Sequence, residues 1–140
     1  MIACYLLAVC TSSSIDKDSN STSLFNLVES AQLTAFIPGD LIQLQVHMGL
    51  EATPDDIGKE VETRIIWVAE SGEETVSEPH TLPFPMKRIR VRSLFLRLPP
   101  APGSYRLFAE WRRLGGDAWE RSSCHWPLEL QAAPQPEAAL

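Results

Sequence analysis

The residues best suited to binding a metal ion lie in the short stretch DKDSN, where Asp16, Asp18 and Asn20 alternate. Oxygen ligands at the first, third and fifth places are typical of a calcium-binding loop. Such a loop also needs Gly at the sixth place and Glu at the twelfth, but this chain has Ser21 and Leu27 there. Asp, Asn and Ser also populate turns, because their side chains bond their own backbone. We therefore predict a polar hairpin turn, and a weak metal site stays open.

Residues that could perform catalysis are few and widely spaced. The three histidines, His47, His80 and His125, are 33 and 45 residues apart, so they lack the close spacing typical of a zinc site. Cys124 and His125 are adjacent, but neighbours in a strand point to opposite faces, which disfavours a thiolate and imidazole pair. The sequence also lacks a nucleophile elbow, a phosphate-binding glycine loop and a dinucleotide fingerprint. These observations favour a protein that is not an enzyme and predict no cofactor.

Positive charge is concentrated in one part of the chain. Residues 1–86 have a net charge of −10, residues 87–113 of +7 and residues 114–140 of −3. We interpret 87–113 as one hairpin with a basic, partly aromatic outer face, a kind of surface that attracts anionic partners. The predicted interaction surface consists of Arg88, Arg90, Arg92, Phe95, Arg97, Arg106, Phe108 and Arg112.

The same arginines have a structural alternative. They could pair across strands with the acidic strand that carries Glu60, Glu62 and Glu70. If the surface is free, an isoelectric point near 5.0 favours an acidic protein partner over nucleic acid, since nucleic-acid binders usually have a basic overall balance.

Alternating apolar residues predict an all-β protein. Leu44, Val46 and Met48 alternate with polar residues, and similar patterns run through 61–69 and 105–111. Glycine and proline turns separate these short strands, as in a two-layer antiparallel β-sandwich of about eight or nine strands, immunoglobulin-like or C2-like. We expect strands near 2–10, 23–28, 31–37, 41–50, 61–70, 75–82, 87–98, 104–113 and 119–131. The chain then divides into one domain, 1–131, and a flexible tail, 132–140.

One predicted strand changes its phase. In RIRVRSLFLRL, Ile89 and Val91 are at odd positions, whereas Leu94, Leu96 and Leu98 are at even positions. A regular strand cannot direct both sets into one core. A β-bulge near Arg92 would restore the phase, and so would a crossing from one sheet to another.

The opening MIACYLLAVC has two interpretations. It could be a lipoprotein signal that ends at Cys10, but no cationic side chain precedes the apolar run and Val9 is a poor residue before the cleavage site. A buried first strand fits better. The three cysteines, Cys4, Cys10 and Cys124, are an odd number, which suggests free buried thiols. On a regular strand Cys4 and Cys10 would share a face about 20 Å apart. We expect a cytoplasmic protein without a membrane-spanning segment.

Several short motifs resemble a known group. YLLAVC before an acidic turn, then SLFNLVE, AFIP and the late Gly103-Ser104-Tyr105, resemble small bacterial proteins that form a domain family of unknown function. The resemblance covers most of residues 4–110. It implies a compact β-sandwich and brings no activity or catalytic residues.

Three functions follow as hypotheses. We expect a non-enzymatic interaction or accessory module that binds an acidic protein through the basic face. The first alternative is a small-ligand or metal-dependent enzyme assembled around Asp16, Asp18, His80 or His125. The second is a self-assembling subunit, a homo-oligomer that pairs through unprotected edge strands.

Overall fold

A computed structural model of the chain describes residues 1–116 and 118–134. These residues form strands joined by turns and one short 3-10 turn, so the all-β prediction is confirmed. Within the same residues, no helix is long and apolar enough to cross a membrane. The elements in chain order are β1 (Ile2–Asp16), β2 (Ser21–Leu27), β3 (Ser30–Leu33), β4 (Leu41–Ile42), β5 (Gln45–Ala52), the 3-10 turn (Pro54–Asp56), β6 (Glu60–Ala69), β7 (Glu74–Val76), β8 (His80–Pro83), β9 (Arg88–Ser93), β10 (Leu96–Arg97), β11 (Gly103–Arg113), β12 (Glu120–Arg121) and β13 (Trp126–Ala132).

The first sheet is antiparallel, with strand order β2-β1-β5-β9. The predicted alternation in β5 is confirmed, because Val46, Met48 and Leu50 all belong to the core. In β9, Ile89 and Val91 pack against that core, whereas the alternating Arg88, Arg90 and Arg92 are exposed. In both strands, apolar residues at alternate positions face the core.

The second sheet is larger and curled. Its order is β3-β13-β11-β6-β7, with β8 also paired to β6 and β12 to β11. Trp67 on β6 and Leu107 and Trp111 on β11 face the core, as their alternation predicts. Strand β3 forms one edge of this sheet and pairs with β13 in parallel orientation. A separate two-stranded sheet joins β4 to β10.

One hydrophobic core unites residues from both large sheets. Its members include Val9 and Leu50 from the first sheet and Val61, Leu107 and Leu130 from the second, each almost completely buried. The two-layer sandwich, and its immunoglobulin-like or C2-like form, stay predictions.

Residues 2–10 form the first part of β1, so the strand interpretation of the opening residues is confirmed. The strand is irregular, however. Cys4 pairs with Leu50 and Leu6 pairs with Gly49, so Tyr5 is an extra residue in a bulge. The bulge reverses the phase of β1, and Cys4 lies in the core whereas Cys10 pairs with Gln45 on the other side. The prediction that the two cysteines share a face is therefore wrong.

The prediction that residues 87–113 form one hairpin is also wrong. β9 pairs with β5 in the first sheet, and β11 pairs with β6 and β13 in the second. The phase change predicted near Arg92 is real and marks a change of sheet: β9 ends at Ser93, and β10 pairs with β4. Leu94 lies between the two strands and is half exposed, not directed into the core.

Several predicted strands are divided by bends. The strand expected over 41–50 is two strands, β4 and β5, and the one over 75–82 is also two, β7 and β8. β1 runs six residues beyond its predicted end, to Asp16. At the other terminus β13 ends at Ala132, and the N–H of Ala133 donates to the carbonyl of Leu33 at 2.7 Å. The predicted flexible tail otherwise falls on residues 135–140, which lie outside the described residues.

Candidate functional site

A long hairpin made by β1 and β2 extends beyond the first sheet. The Asp16 carboxylate closes its turn by accepting the N–H of Asp18 at 3.0 Å and the hydroxyl of Ser19 at 2.9 Å. Both hydrogen bonds lower the pKa of Asp16, and the bond from Asp18 has the larger effect. Asn20 adopts the left-handed conformation, with φ of 57°. The predicted polar hairpin turn is thus confirmed.

The hairpin folds over the outer side of the first sheet and contacts β9. β2 and β9 lie at opposite edges of that sheet, yet Arg90 donates to the Thr22 hydroxyl at 2.5 Å and to the Asn20 carbonyl. Arg92 donates to the Ser13 hydroxyl at 3.2 Å. Two arginine side chains therefore join β9 to the hairpin.

A groove of about 750 Å³ lies between the hairpin and β9. We call it the basic groove, and its polar and aromatic lining includes Tyr5, His47, Lys87, Arg88, Arg90 and Arg92. Among its described lining residues four are cationic and none is acidic. The alternation of β9 explains this composition, because Arg88, Arg90 and Arg92 share one face.

The floor of the basic groove is close-packed. The Tyr5 ring lies directly over Gly49, where a Cβ atom would be 2.5 Å from the ring carbon Cζ. Glycine at position 49 therefore lets the ring approach the sheet. Beside it, His47 is almost fully buried, and its Nε2 lies 3.0 Å from Gln45 Oε1. Burial, together with the nearby Arg92 charge, lowers the pKa of His47.

Only part of the positive charge in the basic groove is neutralised within the chain. Glu51 pairs with Arg88 at 2.8 Å and with Lys87 at 3.9 Å, and the hydrogen bond from Arg88 lowers the pKa of Glu51. Within residues 1–116 and 118–134, no carboxylate forms an ion pair with Arg90 or Arg92. Both guanidinium groups are held instead by neutral oxygen acceptors.

Three arginines of the second sheet have the opposite environment. Arg112 pairs with Glu62 at 3.3 Å, which is the cross-strand pairing that the structural alternative predicts. Glu110 is buried and accepts from Arg64 at 2.7 Å and Arg121 at 2.9 Å. The charges of these three arginines are therefore compensated by neighbouring strands, whereas Arg106 forms no ion pair with any described residue.

Aromatic side chains cover the same face of the second sheet. The Trp119 ring lies between two guanidinium groups, 3.9 Å from Arg64 and 4.4 Å from Arg112. Half-buried Phe108 lies 5.6 Å from the guanidinium of Arg106 and 5.3 Å from that of Arg121. These are cation–π contacts that occupy the aromatic faces within the chain.

The predicted interaction surface is thus divided among three places. Arg88, Arg90 and Arg92 come together in the basic groove. Arg106, Phe108 and Arg112 lie on the second sheet. Phe95 and Arg97 line a different cleft of about 570 Å³, where Phe95 is half exposed and Arg97 donates to the Gly39 carbonyl at 2.6 Å.

The residues of the enzyme alternative do not come together. Asp16 and Asp18 lie at the hairpin turn, His80 lies on β8, and His125 packs against Phe108 with ring centroids 5.5 Å apart. In the described part of the chain, no three His, Cys, Asp or Glu side chains are grouped to hold a metal ion. The enzyme hypothesis stays a prediction, and these four residues do not form a common site.

Sequence reasoning missed Tyr5 and Thr22, two neutral residues that line the basic groove, and Ser13, which accepts a hydrogen bond from Arg92. Their role depends on the fold of the hairpin over the sheet, for which the sequence gives only one sign: serine and threonine recur through residues 11–23. Comparison with protein-family models and with curated proteins found no match to this chain.

Proposed function

We propose that this chain is a non-enzymatic interaction module whose basic groove binds an acidic segment of a partner protein. The observation that carries the proposal is the state of Arg90 and Arg92. Both side chains are fixed by hydrogen bonds to neutral oxygens, and neither is paired with a carboxylate of the described residues.

Fixed, uncompensated guanidinium groups are well suited to recognising carboxylates. Arginine can donate two parallel hydrogen bonds to one carboxylate, a short and strong contact. A side chain that is already ordered loses less conformational freedom when it binds. The groove presents Lys87, Arg88, Arg90 and Arg92, and among the described residues their ion pairs are those of Lys87 and Arg88 with Glu51. An acidic segment would supply the missing negative charge.

The charge of the whole chain favours protein over nucleic acid as the partner. Its net charge is −6, so the surface outside the basic groove would repel a phosphate backbone. An acidic peptide segment needs to contact only the groove. A short segment also fits the site, whose four cations lie within residues 87–92.

The proposal includes a sandwich fold and a cytoplasmic location. A single core formed by both sheets supports the two-layer arrangement. The three cysteines are free, which is typical of a reducing compartment.

The test is a charge reversal, Arg88→Glu, Arg90→Glu and Arg92→Glu together. The three side chains are exposed, and the Arg88–Glu51 pair is a surface ion pair, a kind of contact that contributes little to stability. We therefore expect the melting temperature to change little while binding is lost. Binding is measured by calorimetry with a poly-glutamate peptide, and by mass spectrometry of proteins that co-purify from nuclease-treated host extract.

The matched control reverses Lys59, Arg97 and Arg106 to Glu. These exposed residues lie outside the basic groove, and the change in net charge is the same. The control should bind like the wild type. Equal loss in both variants would show that net charge, not the groove, drives association, and unfolding of the groove variant would show that its arginines are structural.

A second candidate function is self-association through the edge strand β2. Phe25 and Leu27 on this strand are 48% and 57% exposed, although both are large apolar residues. Among residues 1–116 and 118–134, strand β2 pairs with β1 alone, which leaves its other edge for a second copy.

A further inference from the structure

Two cysteines that are far apart in the sequence meet beside the core. Cys4 lies on β1 of the first sheet, and Cys124 lies just before β13 of the second. Their sulfur atoms are 3.8 Å apart, and the Cys124 thiol also donates to the Cys4 carbonyl at 3.7 Å. Both cysteines are free thiols in this structure.

Hydrogen bonds hold both segments in place. Cys4 belongs to the ladder between β1 and β5, opposite Leu50. On the other side, the Ser122 hydroxyl accepts the N–H of Ala109 at 3.0 Å and donates to the carbonyl of Cys124 at 2.7 Å. A disulfide requires sulfur atoms roughly 2.0 Å apart. We expect side-chain rotation to close the remaining gap between the two sulfur atoms while each segment keeps its own backbone hydrogen bonds.

The two thiols differ in their access to solvent, and burial disfavours ionisation of Cys4. Cys124 is half-buried, so a small oxidant can reach it, whereas only 8% of Cys4 is exposed. Burial and the adjacent Cys124 raise the pKa of Cys4 to about 12. Since thiolates react with oxidants and thiols do not, Cys124 is the thiol that reacts first.

We propose that Cys4 and Cys124 are a peroxide-oxidised pair that forms a reversible disulfide between the two sheets. The Cys124 thiolate attacks one peroxide oxygen and breaks the O–O bond, which gives a sulfenic acid and one water after proton transfer. The Cys4 sulfur then attacks the Cys124 sulfur, and the departing hydroxide takes the Cys4 proton as a second water. Two thiols and one hydrogen peroxide thus become one disulfide and two waters.

The bond would link the first strand of the protein to the segment before its last described strand. It would close a ring that contains most of the chain, which restricts the unfolded state strongly. A thiol reductant would reverse it by exchange. This site lies beside the core and shares no residue with the lining of the basic groove, so either proposal can fail without the other.

The test uses the full chain treated with hydrogen peroxide, followed by alkylation of free thiols under denaturing conditions. Intact mass and peptide mapping should show the loss of two hydrogens and a peptide that joins Cys4 to Cys124. The melting temperature should rise by on the order of 5–10 °C, and dithiothreitol should reverse both changes. The variant Cys10→Ala removes the third thiol and should behave the same way.

The variants Cys4→Ala and Cys124→Ala distinguish the two roles. Cys4→Ala should accumulate a sulfenic acid at Cys124 that dimedone traps, and Cys124→Ala should leave Cys4 reduced. The proposal is overturned if wild-type protein keeps both thiols alkylatable after peroxide treatment, or if the disulfide involves Cys10 or a second molecule. Because the wild type alone decides between these results, a variant that fails to fold leaves the test intact.

Discussion

At the scale of single residues, the acceptor decides what an arginine does in this protein. Arg112 forms an ion pair with Glu62, which neutralises its charge locally. Arg90 donates to a hydroxyl and a carbonyl, so neither acceptor neutralises its positive charge. Both arginines belong to one predicted interaction surface, because residue type alone does not show which arginine has an acidic partner. Their alternation along β9 and β11 predicted the outward direction of the side chains, but not the partner that each would find.

The buried imidazole of His47 should make stability depend on pH. Burial and Arg92 lower its pKa in the folded state, whereas in the unfolded chain the pKa is about 6.5. Below that pH the unfolded state binds a proton that the native state does not. The free energy of unfolding should therefore fall as the pH is lowered through about 6.5, by at most ~1.4 kcal/mol per pH unit, until native His47 is itself protonated.

Urea unfolding at about pH 7.5 and about pH 5.5 measures this slope. Replacement of His47 by Gln retains a donor towards Gln45 and removes the titrating group. The difference in stability between the two pH values should be smaller in this variant than in the wild type. The same difference in both proteins would assign the pH dependence to other groups.

The buried carboxylate of Glu110 should matter more for stability than the exposed one of Glu74. Both pair with Arg121, at 2.9 Å and 2.6 Å, but their side chains are 7% and 41% exposed. Glu110→Ala also leaves Arg64 without its partner, and we expect a loss of about 3 kcal/mol. Glu74→Ala should lose no more than about 1 kcal/mol. Urea unfolding of the two variants provides the comparison, and similar losses would contradict it.

At the scale of elements, local periodicity was informative and strand pairing was not. The alternation in β5, β6 and β11 predicted which side chains enter the core, because that pattern depends only on the strand itself. It also showed a break near Arg92, where the chain changes sheets. The pairing of β9 with β5 is a contact between distant parts of the chain, and nothing in RIRVRS specifies it. The predicted hairpin failed for that reason.

The same limit explains why two features of the candidate sites were missed. The fold of the β1–β2 hairpin onto β9 depends on contacts about seventy residues apart, such as Arg90 with Thr22. The meeting of Cys4 and Cys124 spans 120 residues and both sheets. Such contacts depend on the arrangement of the whole chain, and no local sequence pattern indicates them.

At the scale of the whole molecule, the two large sheets carry different charge balances. The first sheet carries the basic groove, and the second carries compensated ion pairs around Glu110 and Glu62. The net charge of −6 therefore hides a local cationic site. A partner with an acidic segment would be attracted to one face only, which fixes how it docks.

Self-association through β2 would involve two whole copies of the molecule. If β2 pairs with a second copy, Phe25→Lys together with Leu27→Lys should convert a dimer to a monomer, because charged side chains on an edge strand disfavour pairing. Light scattering after size-exclusion chromatography, over a series of protein concentrations, measures the mass. As a control, Val76→Lys and Met86→Lys place the same charges at exposed apolar residues outside β2. A wild-type monomer at every concentration, or a dimer that persists in the β2 variant, would contradict this prediction.

The bulge at Tyr5 lets the first strand contain one residue more than its partner strand without loss of a common core. Tyr5 and Leu6 both face outward, so Ile2 and Cys4 before them and Leu7 and Val9 after them enter the same interior. Deletion of Tyr5 would make Cys4 and Leu6 neighbours in a regular strand, with Cys4 still opposite Leu50. The inward phase of Ile2 and Cys4 would be kept, and only the ring that covers Gly49 would be lost. Homologous chains should therefore tolerate the loss of a residue at this bulge more readily than in the regular part of the strand, where a deletion would reverse the phase of every residue on one side of it.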